Sequence, residues 1–235
     1  MLTDNVFELS TFPLVRFTSN RNGNKTRGII NEVYSYIKTK NSFCSFNELH
    51  EHFIEKLGYN EGSVYYVRYK DDIYYYLSNS LIHRDVVGWN NEKQKKIEHL
   101  ASLRFTECVN VGKCYGLVSE MIEHNHLPGL NKGLYWTPLL LADLLCVNMK
   151  FKILGNGRNI FVPIMNGFEI ETFEDFIYEI LKTEHEGAAN LKKLAAKLKK
   201  IGIIKKNITP YMIGKSMKVQ IVGNEIMLKE LLVNA

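Results

Sequence analysis

The sequence predicts an α+β fold that is mostly helical, with repeated units that each end in a small antiparallel β-hairpin. Thr137-Pro138 and Thr209-Pro210, 72 residues apart, each place a good N-cap before a proline at the first helical position. Each pair is followed by a short helix-like segment and then by two alternating segments around a Gly/Asn turn. The same order at two places indicates an internal repeat.

The composition is that of a folded chain. Hydrophobic residues make up 46% and charged residues 23% of the 235 residues. The formal net charge of +5 is too small on its own to indicate a nucleic-acid partner. No run approaches the ~18 apolar residues of a membrane helix, and the first ten residues lack the features of a signal peptide. With four unpatterned cysteines, we expect a cytoplasmic protein with reduced thiols and no membrane association.

Polar, turn-like stretches near residues 89–92 and 166–171 divide the chain into the predicted units. The predicted domains are an N-terminal extension (residues 1–24), repeat 1 (residues 25–90), repeat 2 (residues 91–168) and repeat 3 (residues 169–235).

Repeat 1 is predicted to contain three helices and a hairpin. Apolar residues at helical spacing predict the first helix over Arg27–Lys40. A capping-box pattern at Ser45 and Glu48 opens the second helix, and Asn60 could cap the third. The hairpin strands are predicted at residues 73–77 and 81–87, with the turn near residues 78–79.

Repeat 2 is predicted to follow the same order. Its first two helices are expected over residues 93–104 and 112–123, and a Gly/Pro-rich loop over residues 125–135 precedes the Thr137 helix. Two alternating segments around the Gly-Asn-Gly-Arg turn that starts at Gly155 form the hairpin.

Repeat 3 has the clearest local signals. Its helices are expected over residues 172–183, 190–201 and 210–217, and the hairpin turns at Gly223 and Asn224.

This element order resembles the winged helix-turn-helix superfamily in tandem array, over roughly Arg27 to Leu232. The resemblance implies small antiparallel wings on a helical scaffold, used most often on double-stranded DNA. It also implies that the third helix of repeat 3 is the recognition helix. That helix would direct Tyr211, Lys215 and Ser216 outward, and Met212, Ile213 and Met217 into the core.

The stretch from Gly187 to Gln220 holds nine lysines and no acidic residue. Lysine is a point charge that suits phosphate better than base edges. The stretch therefore predicts a surface that holds the nucleic-acid backbone, and the alternative is a solvated basic face. The lysines are Lys192, Lys193, Lys197, Lys199, Lys200, Lys205, Lys206, Lys215 and Lys218.

Repeat 2 offers further candidate cations around its hairpin, at Lys150, Lys152 and Arg158. Arg158 lies in the predicted turn, where a wing tip could enter a minor groove. The helix at residues 139–145 is nearly all apolar, so it is expected to be buried against another unit or a partner.

Repeat 1 combines basic residues with a run of tyrosines at positions 65, 66, 69, 74, 75 and 76. Exposed tyrosines could stack bases of single strands or form a protein interface. Half of them should face the core.

Signals for catalysis and metal binding are missing from the sequence. Cys108, Cys114, His124 and His126 do not have the spacing of a zinc module. The glycine turn at Gly155 lacks the Lys-Ser/Thr of a phosphate-binding loop. We therefore expect no metal, no cofactor and no enzyme activity.

The sequence thus predicts a protein that binds nucleic acid, namely double-stranded DNA, mainly through phosphate contacts of repeat 3. It would act as a transcription regulator or as the DNA-binding part of a larger assembly. The alternative is a protein-interaction adaptor, with a partner held by repeat 2 or by the tyrosines of repeat 1.

Overall fold

The computed structural model describes residues 6–9, 15–18, 28–124, 126–155, 157–165, 170–213 and 217–230. Strands β1 (Val6–Leu9) and β2 (Val15–Thr18) pair antiparallel with each other within the predicted N-terminal extension. The rest of the described chain is mostly helical and carries three small antiparallel three-stranded sheets, which confirms the predicted α+β fold class.

Repeat 1 begins its second and third helices at the predicted caps. Ser45 accepts a hydrogen bond from the Glu48 N–H at 3.1 Å, and Asn60 accepts one from the Ser63 N–H at 3.2 Å. The elements are α1 (Ile29–Thr39), β3 (Cys44–Ser45), α2 (Phe46–Leu49) continued by a π-helix (His50–Lys56), α3 (Glu61–Tyr65) continued by a 3₁₀-helix (Tyr66–Tyr69), β4 (Ile73–Leu77), β5 (Ser80–His83) and α4 (Arg84–Val87).

The predicted strand over residues 81–87 is wrong beyond His83. The His83 Nδ1 accepts a hydrogen bond from the Asp85 N–H at 3.1 Å and so caps the short helix α4. Gly88, with φ of +67°, ends that helix in the left-handed conformation that glycine tolerates.

Repeat 2 has the predicted Thr137 cap, which accepts from the Leu140 N–H at 3.2 Å. The predicted helix over residues 112–123 is wrong at its start, where Gly116 and Leu117 form a strand. A Cβ on Gly116 would lie 2.3 Å from the Phe161 ring, so only glycine fits this position. The elements are α5 (Asn91–Asn110), β6 (Gly116–Leu117), α6 (Val118–His124), α7 (Pro138–Cys146), β7 (Phe151–Leu154) and β8 (Ile160–Pro163).

Repeat 3 opens with the capping box of Thr172 and Asp175 and continues through an Asn190 cap. The predicted third helix is described only for its first turn. Met217, which was predicted to lie in the core, is 85% exposed, so that prediction is wrong. The elements are α8 (Phe173–Glu184), β9 (Ala188–Asn190), α9 (Leu191–Lys200), α10 (Pro210–Ile213), β10 (Val219–Val222) and β11 (Glu225–Leu228).

The three sheets share one topology. In each repeat, a strand of two or three residues precedes the second helix and pairs with the last strand of the hairpin. The sheet orders are β3-β5-β4, β6-β8-β7 and β9-β11-β10. Each repeat therefore places helix, strand, helix, helix and hairpin in the same arrangement.

The chain forms two compact bodies. The N-terminal body comprises Met1–Trp89 and Leu130–Tyr135, and the C-terminal body comprises Asn90–Gly129 and Trp136–Ala235. Repeats 2 and 3 share one hydrophobic core in the C-terminal body, with Tyr115 and Ile160 from repeat 2 beside Leu198 and Ile226 from repeat 3. The division into three domains stays a prediction.

A close backbone contact joins repeat 2 to repeat 3. The Gly157 N–H donates a hydrogen bond to the Gly202 carbonyl oxygen at 3.0 Å. Gly155 has φ of +78°, and a Cβ there would lie 2.8 Å from the Ile203 Cα. The β7–β8 turn thus packs directly on the loop that follows α9, and glycine is required for this approach.

Candidate functional site

Helix α9 presents one apolar side and one lysine side. Leu194, Ala195 and Leu198 are buried in the core of the C-terminal body. The Asn190 side chain caps the helix by accepting hydrogen bonds from the N–H groups of Lys192 and Lys193, at 3.1 and 3.2 Å. The amphipathic pattern of the sequence therefore fixes which side of α9 faces outward.

Four exposed lysines surround the exposed Ala196 on the outer side of α9. They lie three or four positions before and after it, so their side chains belong to neighbouring turns of one face. We call them the α9 lysine face: Lys192, Lys193, Lys199 and Lys200.

No carboxylate in the described part of the chain pairs with the α9 lysine face. Lys199 donates a hydrogen bond to the Asn207 amide oxygen at 2.7 Å, which leaves its charge uncompensated. The first turn of α9 contains two lysines and no acidic residue, although a helix N-terminus favours negative charge. At the start of α9, the charges of Lys192 and Lys193 thus add to the positive end of the helix dipole, whereas Lys199 and Lys200 lie in the last turn and attract an anion by their own charge.

Two lysines of the basic stretch are neutralised by acids from α8. Lys197 pairs with Glu184, and Lys218 pairs with Asp175 at 2.5 Å. Burial alone would raise the pKa of Asp175, but the hydrogen bonds from Lys218 and Thr172 outweigh it and lower the pKa to about 2. These two predicted contact residues therefore already have anionic partners.

The loop after α9 adds further positive charge. Lys205 and Lys206 are exposed, and no described carboxylate lies within ion-pair distance of either. Tyr211 is 94% exposed at the start of α10. Lys215 and Ser216 lie outside the described residues.

The cations predicted in repeat 2 have partners within the C-terminal body. Lys150 pairs with the buried Glu98 at 2.6 Å, and Arg158 pairs with Asp143. Lys152 donates to the carbonyl oxygens of residues 170 and 171, at 3.0 and 3.3 Å. The sequence carries no signal for these pairs, because their members are distant in the chain.

The described residues therefore combine an uncompensated positive surface on repeat 3 with paired cations on repeat 2. No family model, curated protein or solved structure matches this chain. Within the described ranges, no three His, Cys, Asp or Glu side chains are grouped to hold a metal ion. Nor is any described helix both long and apolar enough to cross a bilayer.

The tyrosine run of repeat 1 divides between core and surface. Tyr74 and Tyr76 are buried, whereas Tyr66 and Tyr69 are 57% and 62% exposed with ring centroids 5.0 Å apart. The Arg68 guanidinium lies 4.8 Å from the Tyr69 ring centroid. An exposed aromatic and arginine cluster of this kind is typical of binding surfaces.

An apolar cleft beside Lys205 and Lys206 has no counterpart among the sequence predictions. Phe173 from the start of α8 and Met212 from α10 line it together with Ile203 and Ile204. These residues come from three separate segments, so no local pattern predicts that they meet.

Proposed function

We propose that the chain is a nucleic-acid-binding protein that holds double-stranded DNA through phosphate contacts of repeat 3. The observation that carries this proposal is the α9 lysine face, an exposed group of four ammonium groups without described carboxylate partners. Lys205, Lys206 and Tyr211 would extend the same surface. Each phosphate that a lysine neutralises releases counterions, so binding would be steeply dependent on salt.

We also propose that each repeat is a winged-helix unit. The shared order of helix, strand, helix, helix and hairpin supports this, as does the central position of the last strand in each sheet. The helix α7 of repeat 2 is largely buried, so repeat 2 would serve as a connector rather than as a reader of DNA. The functional role would be regulation, or DNA binding within a larger assembly.

The surface is suited to the DNA backbone more than to base edges. It contains lysines but no arginine, and arginine, asparagine and glutamine make most specific base contacts. We therefore expect similar affinity for unrelated duplexes of equal length.

A paired-variant experiment tests the proposal. K199A/K200A removes two lysines of the α9 lysine face, and K95A/K96A removes two exposed adjacent lysines of α5 in the same compact body. Fluorescence anisotropy with a labelled duplex, across a salt series, measures both affinity and its salt dependence. We expect K199A/K200A to bind more weakly and to lower the log–log salt slope by roughly 2, while K95A/K96A behaves like the wild type.

Equal effects of the two variants would contradict the assignment to repeat 3. A wild-type chain that fails to bind any duplex at low salt would instead favour the protein-interaction adaptor. The exposed Tyr66, Arg68 and Tyr69 cluster supports that second function, because tyrosine and arginine dominate the binding energy of protein interfaces.

A further inference from the structure

Repeat 3 contains an apolar cleft with a basic rim. It has a volume of about 510 Å³, which is in the range of small-molecule sites. Its lining is mostly apolar, and Ile203 and Ile204 in it are nearly buried. The residues that line it are Phe173, Ile203, Ile204, Lys205, Lys206 and Met212.

A second cavity of about 220 Å³ shares Phe173 and Ile203 with the cleft. Leu154 and Phe176 continue its apolar lining toward the β7–β8 turn. The close approach of Gly155 to Ile203 forms one side of this cavity and fixes its shape. The cleft and this cavity therefore share Phe173 and Ile203 as apolar wall residues.

The charges are distributed unequally between the two ends. The cleft carries Lys205 and Lys206, and neither ammonium group has a carboxylate partner among the described residues. The smaller cavity is lined by an acidic residue, Glu171, which is absent from the lining of the cleft. An anionic group is thus favoured at the lysine end, and an apolar body is favoured between Phe173 and Met212.

We propose that this cleft binds an organic monoanion with an apolar body, such as a medium-chain carboxylate. The carboxylate would contact Lys205 and Lys206, and the alkyl chain would lie against Phe173, Ile203 and Met212. Charge-assisted hydrogen bonds fix the head group, and removal of the chain from water supplies the remaining affinity.

Ligand binding would also compete with DNA. This second part rests on the proposed function, in which Lys205 and Lys206 contact phosphates. A carboxylate that neutralises these two lysines removes two such contacts, so the affinity for a duplex falls when the cleft is occupied.

Isothermal titration calorimetry of the full chain with decanoate, below its micelle concentration and without DNA, tests the cleft. We expect saturable binding to the wild type and about tenfold weaker binding to K205A/K206A. The filling variant M212W keeps both lysines but occupies the cleft, so it should lose binding. The control K95A/K96A should match the wild type.

The cleft proposal is overturned if decanoate fails to bind the wild type, or if K205A/K206A binds it with unchanged affinity. The two lysines are exposed, so that variant is expected to fold even if M212W does not. A duplex competition assay then tests the coupling, since decanoate should displace labelled DNA from the wild type but not from M212W. K199A/K200A separates the two proposals, because it should lose DNA affinity while it binds decanoate normally.

Discussion

Asp175 combines two roles at the start of α8. It accepts hydrogen bonds from the Thr172 N–H at 2.9 Å and from the Thr172 hydroxyl at 2.7 Å, and it pairs with Lys218. Asp175 and Lys218 lie 43 positions apart in the chain. A lysine in an acid-free stretch of sequence can thus be neutralised in the fold, and only the spatial arrangement identifies which lysines keep their charge.

The lowered pKa of Asp175 predicts a loss of stability in acid. Its folded pKa of about 2 lies below the usual value near 3.9, so the stabilisation is present above pH 4 and is lost as the pH falls toward 2. D175N should reduce the free energy of unfolding at pH 7 by about 1–2 kcal/mol. Urea titrations at several pH values check this.

The control for D175N is E174Q, which changes the neighbouring acid of the same first turn. If D175N and the wild type lose stability in parallel between pH 4 and 2, Asp175 is not the group that titrates.

At the scale of elements, helix starts were predictable because their signals are local. Ser45, Asn60 and Thr137 each cap the helix that follows, as their side-chain type and position predict. The short strands β3, β6 and β9 were not predictable. Segments of two or three residues show no alternation, and they become strands only because a hairpin lies beside them.

Helix α4 was also not predictable, because histidine is an uncommon cap. The imidazole of His83 is buried, with its Nε2 2.9 Å from the Tyr34 hydroxyl and its Nδ1 accepting from the Asp85 N–H. The Tyr34 hydroxyl in turn donates to Asp72 at 3.3 Å. This arrangement requires a neutral imidazole, because a protonated Nδ1 could not accept the hydrogen bond from the Asp85 N–H.

The His83 cap predicts a stability change near neutral pH. Burial is the main cause that lowers the pKa of His83; among the nearby charges, Asp85 raises the pKa and Lys38 lowers it by smaller amounts. The folded state therefore favours the neutral ring, and stability falls as the pH drops below about 6.5, where the unfolded histidine gains a proton. H83N retains a capping side chain but does not titrate.

Urea unfolding at pH 7.5 and 5.5 measures this effect. The difference in unfolding free energy between the two pH values should be smaller in H83N than in the wild type. A difference of the same size in both proteins would show that other groups cause the pH dependence.

At the scale of the whole molecule, repeats 2 and 3 share one hydrophobic core, whereas repeat 1 belongs to the N-terminal body. Sequence periodicity predicted their order, but it could not predict that repeats 2 and 3 share a core. That core forms because Ile160 and Val162 of repeat 2 and Leu181 and Leu198 of repeat 3 meet in space. The candidate site shows the same division: the amphipathic α9 was predictable, whereas the ion pairs and the apolar cleft were not.

The Gly155 contact predicts that repeats 2 and 3 unfold together. G155A would force a left-handed backbone on alanine and place its Cβ 2.8 Å from the Ile203 Cα. We expect a loss of more than about 2 kcal/mol in stability, because the strain of roughly 1–2 kcal/mol for a left-handed residue is joined by a backbone clash.

G223A is the matched control, since Gly223 also has a positive φ but a Cβ added there would meet no atom within 4 Å. G223A should lower the free energy of unfolding only by the strain of a left-handed alanine, roughly 1–2 kcal/mol. Hydrogen exchange should show G155A weakening amide protection on α7 and α9 alike, and a loss confined to repeat 2 would contradict the shared unfolding.

The common core of repeats 2 and 3 constrains how this chain can be recombined. A crossover near residue 168 would leave Ile160 and Val162 on one product and Leu198 and Ile226 on the other. Neither product would then contain the complete hydrophobic core. Functional chimaeras are therefore expected to inherit residues 90–230 as one piece, with their breakpoints outside it, because Tyr115 also belongs to this core.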